Sequence, residues 1–128
     1  MARFRNQGLD HVAIAVADVS RSQGFYADVV GLERAYEEWE IPVVMAANGS
    51  GVAIFSHDLH PGHGDPEAAP AIRILHIAFR VDRAGFEAAR AELAERGIEA
   101  TFSDHGLSHS IYFADPDGHR LELTTYEV

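Results

Sequence analysis

Three side chains with metal-binding chemistry occupy matching places in this chain. His11 and His76 each lie in a strand-like segment, on the face that otherwise carries small residues, and Glu122 lies on the corresponding face of a later strand-like segment. Either histidine taken alone is as readily a half-buried, hydrogen-bonded side chain. Together, two neutral imidazoles and a carboxylate suit a divalent metal. We predict a site with Fe(II) favoured and Mn, Zn or Ni as alternatives.

The elements that would position these ligands occur twice. Each half has a strand rich in apolar residues, an amphipathic helix and three further strands, and His11 and His76 are 65 positions apart, about half the chain. The modules cover about 8–57 and 72–127, and a linker at 58–71, rich in Pro, Gly and His, joins them. The sequence therefore predicts an α+β fold of two βαβββ modules in one domain, 1–128.

The last two strands should meet at a tight turn. Pro116–Gly118 supplies a preset φ and a residue suited to the left-handed conformation. Tyr112 before the turn and Glu122 after it both alternate with large apolar residues, so they should face away from the core. A glutamate between two leucines is, by itself, more commonly a solvent-facing residue of an edge strand.

Composition limits the classes of function. The chain has 128 residues, 47% hydrophobic and 23% charged, which suits one compact domain. With no cysteine, the chain can form no disulfide and can supply neither a thiolate nucleophile nor a thiolate metal ligand. The net charge of −10 argues against nucleic acid or anionic membrane as a partner. The N-terminal residues lack the apolar core of a signal peptide and no apolar run is long enough for a membrane span, so a cytoplasmic location is expected.

Three segments, Leu9–Leu32, Leu75–Val81 and Ile111–Leu123, resemble the vicinal-oxygen-chelate superfamily, the glyoxalase, bleomycin-resistance and extradiol-dioxygenase group. The resemblance implies that the two modules form a half-barrel cup with the helices outside. It also implies a metal inside the cup, a small-molecule substrate and a homodimer. The two histidines and the glutamate described above fall on the family's ligand positions.

The resemblance also narrows the chemistry. Glyoxalase-like members use a fourth, acidic ligand, and continuing the repeat into the last strands assigns that place to Phe55, which cannot bind a metal. Fosfomycin-inactivating members need a basic pocket and a chain that extends past the last strand, and neither is expected here. Extradiol dioxygenases have a tyrosine ten residues before the glutamate, as Tyr112 is before Glu122, and small members carry a His-Gly-x-Ser segment like His105–Ser108.

These similarities predict an enzyme with extradiol-dioxygenase-like action on a small catecholic or related aromatic substrate. Tyr112 would hydrogen-bond a substrate oxygen. His105 or His109 would orient the ring or carry a proton.

The sequence leaves other assignments open. The place of the dioxygenases' acid–base histidine reads about Ser50–Gly51 here, and His57, His60 and His63 near or within the linker are candidates to replace it. The first alternative is a non-catalytic, acidic cup that sequesters a cationic aromatic drug, as bleomycin-resistance proteins do. The second is a glyoxalase, isomerase or thiol-transferase type of lyase or transferase.

Overall fold

The computed structural model describes residues 2, 3, 5, 7–58, 74 and 76–128. The chain divides into two compact units, Met1–Pro61 and Gly62–Val128, and in the described residues each unit has one helix and one four-stranded sheet. Both units have the order βαβββ, so the predicted repeat and the α+β fold class are confirmed. The predicted linker, apart from Asp58, lies outside the described residues, as do His60 and His63. No helix in the described part is long and apolar enough to cross a membrane.

The first unit follows the predicted order closely. Its elements are β1 (His11–Val16), α1 (Val19–Asp28), β2 (Glu33–Ala35), β3 (Val43–Ala47) and β4 (Ser50–Ser56). The strands lie in the order β1-β4-β3-β2, with β1 parallel to β4 and the other pairs antiparallel.

The alternation of β1 places His11 as predicted. Ile14 and Val16 are buried, whereas His11, Ala13 and Ala15 are exposed. The helix α1 begins after Asp18, whose carboxylate caps it, and buries side chains one turn apart. The apolar side of β1 is therefore used for packing, and the histidine stands on the side with small residues.

The second unit repeats this arrangement. Its elements are β5 (Ile77–Arg80), α2 (Arg83–Glu95), β6 (Thr101–Asp104), β7 (His109–Ala114) and β8 (Arg120–Thr125). The strand order is β5-β8-β7-β6, and only β5 and β8 form a parallel pair among these described strands. His76 comes immediately before β5.

One side of the second sheet packs against α2. Asp82 caps the helix by accepting from the Gly85 amide at 2.7 Å, and Phe86 and Leu93 are buried on one helix face. Large apolar side chains of the sheet that alternate with the functional residues are also buried: Ile111, Phe113, Leu121 and Leu123. Glu122, between two of these leucines, must then point to the opposite side of the sheet.

The position equivalent to Glu122 in the first unit differs from the prediction. Ala13 pairs with Ala53, whereas Ala78, its equivalent, pairs with Glu122. Ala13 and Ala78 are 65 positions apart but Ala53 and Glu122 are 69 apart, because the second unit has four more residues between its parallel strands. Ala53, not Phe55, therefore occupies this position. The chemical consequence is unchanged, since a methyl group cannot bind a metal either.

Candidate metal-binding and catalytic site

Glu122 is the centre of the candidate site in the second unit. It lies within β8, opposite Tyr112 of β7 and beside Ala78 of β5, and is only 8% exposed. A carboxylate buried to this degree is unfavourable unless both of its oxygens have partners.

Each oxygen of Glu122 does have a neighbour. The Ser110 hydroxyl donates to Oε2 at 2.8 Å, and the His76 Nε2 atom lies 3.1 Å from Oε1. Ser110 is wholly buried, whereas the His76 side chain is 41% exposed. The buried Ser110 hydroxyl thus holds one oxygen of the Glu122 carboxylate, and the other oxygen faces the accessible imidazole of His76.

The His76–Glu122 pair fits two neighbouring ligands of one metal ion. Ligand atoms at about 2.1 Å from a divalent metal lie roughly 3 Å apart when they occupy adjacent positions, and the observed Nε2–Oε1 distance is 3.1 Å. Both groups are ligands of first-row metals. Within the described residues of either unit, no three His, Asp or Glu side chains are close enough together to hold a metal. The three-ligand site therefore stays a prediction.

His11, the third predicted ligand, belongs to the first unit. It is the first residue of β1, its side chain is 46% exposed, and its Nδ1 atom lies 2.7 Å from the Asp10 Oδ1 atom. Because a carboxylate only accepts, the proton of this hydrogen bond belongs to Nδ1. With that proton on Nδ1, the Nε2 atom is the ring nitrogen that could bind a metal, as in ligating histidines with a carboxylate partner.

Tyr112 extends the site from Glu122 to His105. The phenol oxygen is 3.0 Å from the His105 Nε2 atom, and the Tyr112 ring contacts the His76 ring edge-on at 5.8 Å between centroids. Burial and then the negative charge of Glu122 raise the pKa of the Tyr112 phenol above its usual value. Tyr112 therefore keeps its proton at neutral pH. The structure brings together four predicted residues of the second unit: His76, His105, Tyr112 and Glu122.

The His105–Ser108 segment forms the turn between β6 and β7. The His105 amide donates to the Ser108 carbonyl at 2.9 Å, and Gly106 has a φ of +80°, in the left-handed region that favours glycine. The Gly106 amide donates to the Asp104 carboxylate at 2.8 Å. The His-Gly-x-Ser pattern thus has a structural role in the turn, and the same turn holds His105 beside Tyr112.

His109 lies on the opposite side of β7 from Tyr112. Its Nδ1 atom is 2.9 Å from the Arg83 Nη2 atom, and its ring contacts Phe102 and Phe86 at 5.2 and 6.5 Å between centroids. Because a guanidinium only donates, His109 is the acceptor. The structure does not bring His109 to Tyr112, and its contacts favour a part in the packing of α2. Its catalytic role stays a prediction.

Two buried hydroxyls beside Glu122 were not among the residues predicted from the sequence. Ser110 shares the Tyr112 face of β7, and its oxygen lies 3.3 Å from the Thr124 hydroxyl on β8. Strand alternation could have indicated them, because Ser110 and Thr124 have the same parity as Tyr112 and Glu122. All four side chains therefore lie on the same side of the sheet. Hydrogen bonding between them depends on side-chain rotamers, which alternation does not give.

A surface pocket of about 260 Å³ lies in the first unit. Its lining includes the carboxylates of Asp10 and Glu33 and the ring of Tyr36, which stacks on Trp39 at 5.0 Å between centroids. Carboxylates with an aromatic face suit a cationic ligand, the class expected for the sequestration alternative, but the lining also includes Arg34, whose positive charge opposes such a ligand. The pocket also contains the carboxylate partner of His11.

A family model described as the Glyoxalase/Bleomycin resistance protein/Dioxygenase superfamily matches residues 8–123. The chain belongs to this superfamily, which confirms the resemblance of the sequence segments. Membership supports a small-molecule substrate and a divalent metal as cofactor.

Individual relatives differ in chemistry. The chain is 29% identical over 117 residues to "Glutathione transferase FosA" of Serratia marcescens, covering 91% of this chain and 79% of that protein. It is 26% identical over 116 residues to "Catechol-2,3-dioxygenase" of Bacillus subtilis, covering 90% of this chain but only 40% of that protein. A solved glyoxalase/dioxygenase from Nostoc punctiforme superposes with a TM-score of 0.77 at 24% identity, covering 98% of this chain and 95% of that one. That likeness shows the fold alone.

Proposed function

We propose that this chain is a metal-dependent enzyme with extradiol-dioxygenase-like action on a small catecholic substrate. The observation that carries the proposal is the contact between the Tyr112 phenol and His105 at 3.0 Å, next to the pair formed by His76 and Glu122. A proton donor beside two potential metal ligands is the arrangement needed to act on an oxygen that a metal activates.

In this proposal His11, His76 and Glu122 hold the metal, with Fe(II) as the favoured ion. His11 comes either from the same chain or from a second copy in a homodimer. The support lies in the 3.1 Å spacing of the His76 and Glu122 atoms and in the Asp10 carboxylate that orients the His11 ring. When bound, Fe(II) would supply a place for both catechol oxygens and for O₂ and would transfer charge between them.

Tyr112 and His105 handle the substrate's proton. A phenol with a raised pKa is a hydrogen-bond donor at neutral pH rather than a base, so Tyr112 donates to a substrate oxygen beside Glu122. His105 lies in an exposed turn and contacts the same phenol. It can therefore exchange a proton with water while Tyr112 stays in place.

Small side chains leave space for a planar ring beside the site. Ala78 lies next to Glu122 in β5, and Ala114 lies two residues after Tyr112 on the same side of β7. Both alanines are exposed. These two methyl groups are small neighbours for an aromatic substrate beside Glu122, and the exposed side chains of Arg80 and Arg120 lie on the same face.

The test is O₂ consumption by the purified full chain, reconstituted anaerobically with Fe(II) and mixed with a panel of catechols. We expect uptake of one O₂ per catechol, with a ring-opened product that absorbs in the near ultraviolet or visible range. An iron-loaded protein that consumes no O₂ with any catechol would contradict the dioxygenase proposal.

Transfer of a thiol to a small anionic electrophile is the second candidate. The relative "Glutathione transferase FosA" is matched over 79% of its length. Two exposed arginines, Arg80 and Arg120, have the same parity as Glu122 and so lie on its side of the sheet. Loss of free thiol in the presence of Mn or Zn and an anionic electrophile, together with a higher KM in Arg120→Gln, would favour this reaction over oxygenation.

A further inference from the structure

We infer that Ser110 and Thr124 are positioning residues that leave only Oε1 of Glu122 available to a metal ion. This role depends on the metal site proposed above, and it adds two hydroxyl groups that the proposed reaction does not itself use. It also bears on how many positions around the metal are left for substrate.

The three side chains form one buried group on the sheet of the second unit. Ser110 lies 2.8 Å from Glu122 Oε2 and 3.3 Å from the Thr124 hydroxyl. Ser110 is 0% exposed, and Glu122 and Thr124 are each 8% exposed. Glu122 as a whole therefore has little access to water, and the Ser110 hydroxyl is a partner of its Oε2 atom.

The direction of these hydrogen bonds follows from the number of protons. A serine hydroxyl has one proton, and an ionised carboxylate can only accept. The Ser110 proton therefore goes to Glu122, and Thr124 must be the donor in its contact with Ser110. The result is a directed chain from Thr124 through Ser110 to Glu122, in which each hydroxyl supports the next acceptor.

This chain fixes which oxygen faces the imidazole. With Oε2 engaged by Ser110, Oε1 is the atom that lies 3.1 Å from His76 Nε2. Glu122 would then offer a single oxygen atom to the metal. A carboxylate released from Ser110 could rotate and bind through both oxygens, which would take a position needed by a substrate that binds through two oxygens.

A purely structural role of the two hydroxyls predicts different experimental results. If the hydroxyls only satisfied a buried carboxylate, their removal would lower the stability of the metal-free protein and leave metal binding unchanged. A positioning role instead predicts a change in metal affinity and in the metal's spectrum. Hydrogen-bond partners of ligating carboxylates and histidines typically contribute about 10–100-fold in metal affinity.

The experiment uses the full chain and Co(II), whose visible absorption depends on the number of ligands. The variants are Ser110→Ala, Thr124→Val, which keeps the side-chain shape, and Thr124→Ser, which keeps the hydroxyl. Ser103→Ala is the matched control, because Ser103 faces Ser110 across the β6–β7 pair. For each protein the dissociation constant for Co(II), the visible spectrum and the thermal unfolding of the metal-free form are measured.

We expect Ser110→Ala to weaken Co(II) binding about 10–100-fold and to lower the visible absorption, because a second carboxylate oxygen raises the coordination number. Thr124→Val should do the same to a smaller extent, and Thr124→Ser and Ser103→Ala should match the wild type. If Ser110→Ala does not fold, the Co(II) affinity and spectrum of Thr124→Val test the positioning role.

Two results would overturn the inference, and only the second would also overturn the proposed metal site. Wild-type affinity and spectrum in both Ser110→Ala and Thr124→Val would refute the positioning role and leave the metal site standing. A wild-type protein that binds no Co(II) would refute the metal site and the positioning role together.

Discussion

Tyr112 and Glu122 stand directly opposite each other on β7 and β8, and the phenol reaches His105 on its other side. Because β7 and β8 are hydrogen-bonded neighbours, this spacing is set by the backbone rather than by flexible loops. A proton donor and a candidate metal ligand are therefore held in fixed register.

Replacing Tyr112 by phenylalanine should reduce kcat by about 10²–10⁴-fold, because the donor to the substrate oxygen is lost while the ring is kept. Metal content should stay at the wild-type level, since the phenol is not a predicted ligand. Steady-state O₂ uptake and metal analysis check both points. Tyr126→Phe is the control, because Tyr126 is exposed and stacks with Arg80. An unchanged kcat in Tyr112→Phe would remove the tyrosine from the mechanism.

Replacing Asp10 by alanine should weaken metal binding about 10–100-fold. The carboxylate at 2.7 Å keeps the proton of His11 on Nδ1, and without it the ring can turn or carry the proton on Nε2. Titration with a divalent metal measures the change. Asp28→Ala removes an equal charge from an exposed position near the end of α1 and should have no effect. Equal loss in both variants would mean that charge alone matters.

Replacing His109 tests whether the side of β7 that faces α2 contributes catalytic residues. His109→Ala should destabilise the protein by about 1–3 kcal/mol, because it removes the acceptor for Arg83 and an aromatic contact with Phe102. Once the protein is folded, kcat should remain within a few-fold of the wild type. Chemical denaturation and O₂ uptake measure the two effects. A loss of 10²-fold or more in kcat, typical of a general acid or base, would instead support the catalytic role predicted from the sequence.

Gly51 should be required by the sheet of the first unit. A Cβ atom there would overlap the Met45 carbonyl oxygen and would lie 2.7 Å from the Ala46 Cα atom. Gly51→Ala must push β3 and β4 apart, so we expect a loss of about 1–3 kcal/mol or more in the free energy of unfolding. Gly24 lies inside α1 and has open space where a Cβ atom would be added, so Gly24→Ala should raise stability by about 0.5–1 kcal/mol instead. Urea unfolding of both variants distinguishes these outcomes, and a neutral Gly51→Ala would contradict the packing described.

Periodicity in the sequence correctly predicted the fold and the side of the sheet on which most site residues lie. Ile14 and Val16 are buried and His11 is exposed, as alternation predicts. Tyr112 and Glu122 share a face for the same reason. These features follow from the two-residue period of a strand, which each segment carries by itself.

Long-range register was not available from the sequence. The residue of the first unit that is equivalent to Glu122 depends on the number of residues between the two parallel strands. The second unit has four more residues there, so the equivalent residue is Ala53 and not Phe55. His109 has the parity of Ile111 and therefore faces α2, so strand alternation already separated it from Tyr112. The hydrogen bond between Ser110 and Glu122 required coordinates, because it depends on rotamers.

The metal site itself is tested by the dissociation constant of one divalent ion, measured for the wild type and for His11→Ala, His76→Ala and Glu122→Gln. Three ligands acting on the same ion predict one ion per wild-type chain and a large loss of affinity, at least about 100-fold, in every single variant. Wild-type affinity in any of the three variants would remove that residue from the site. A wild-type chain that binds no divalent ion would contradict the metal site altogether.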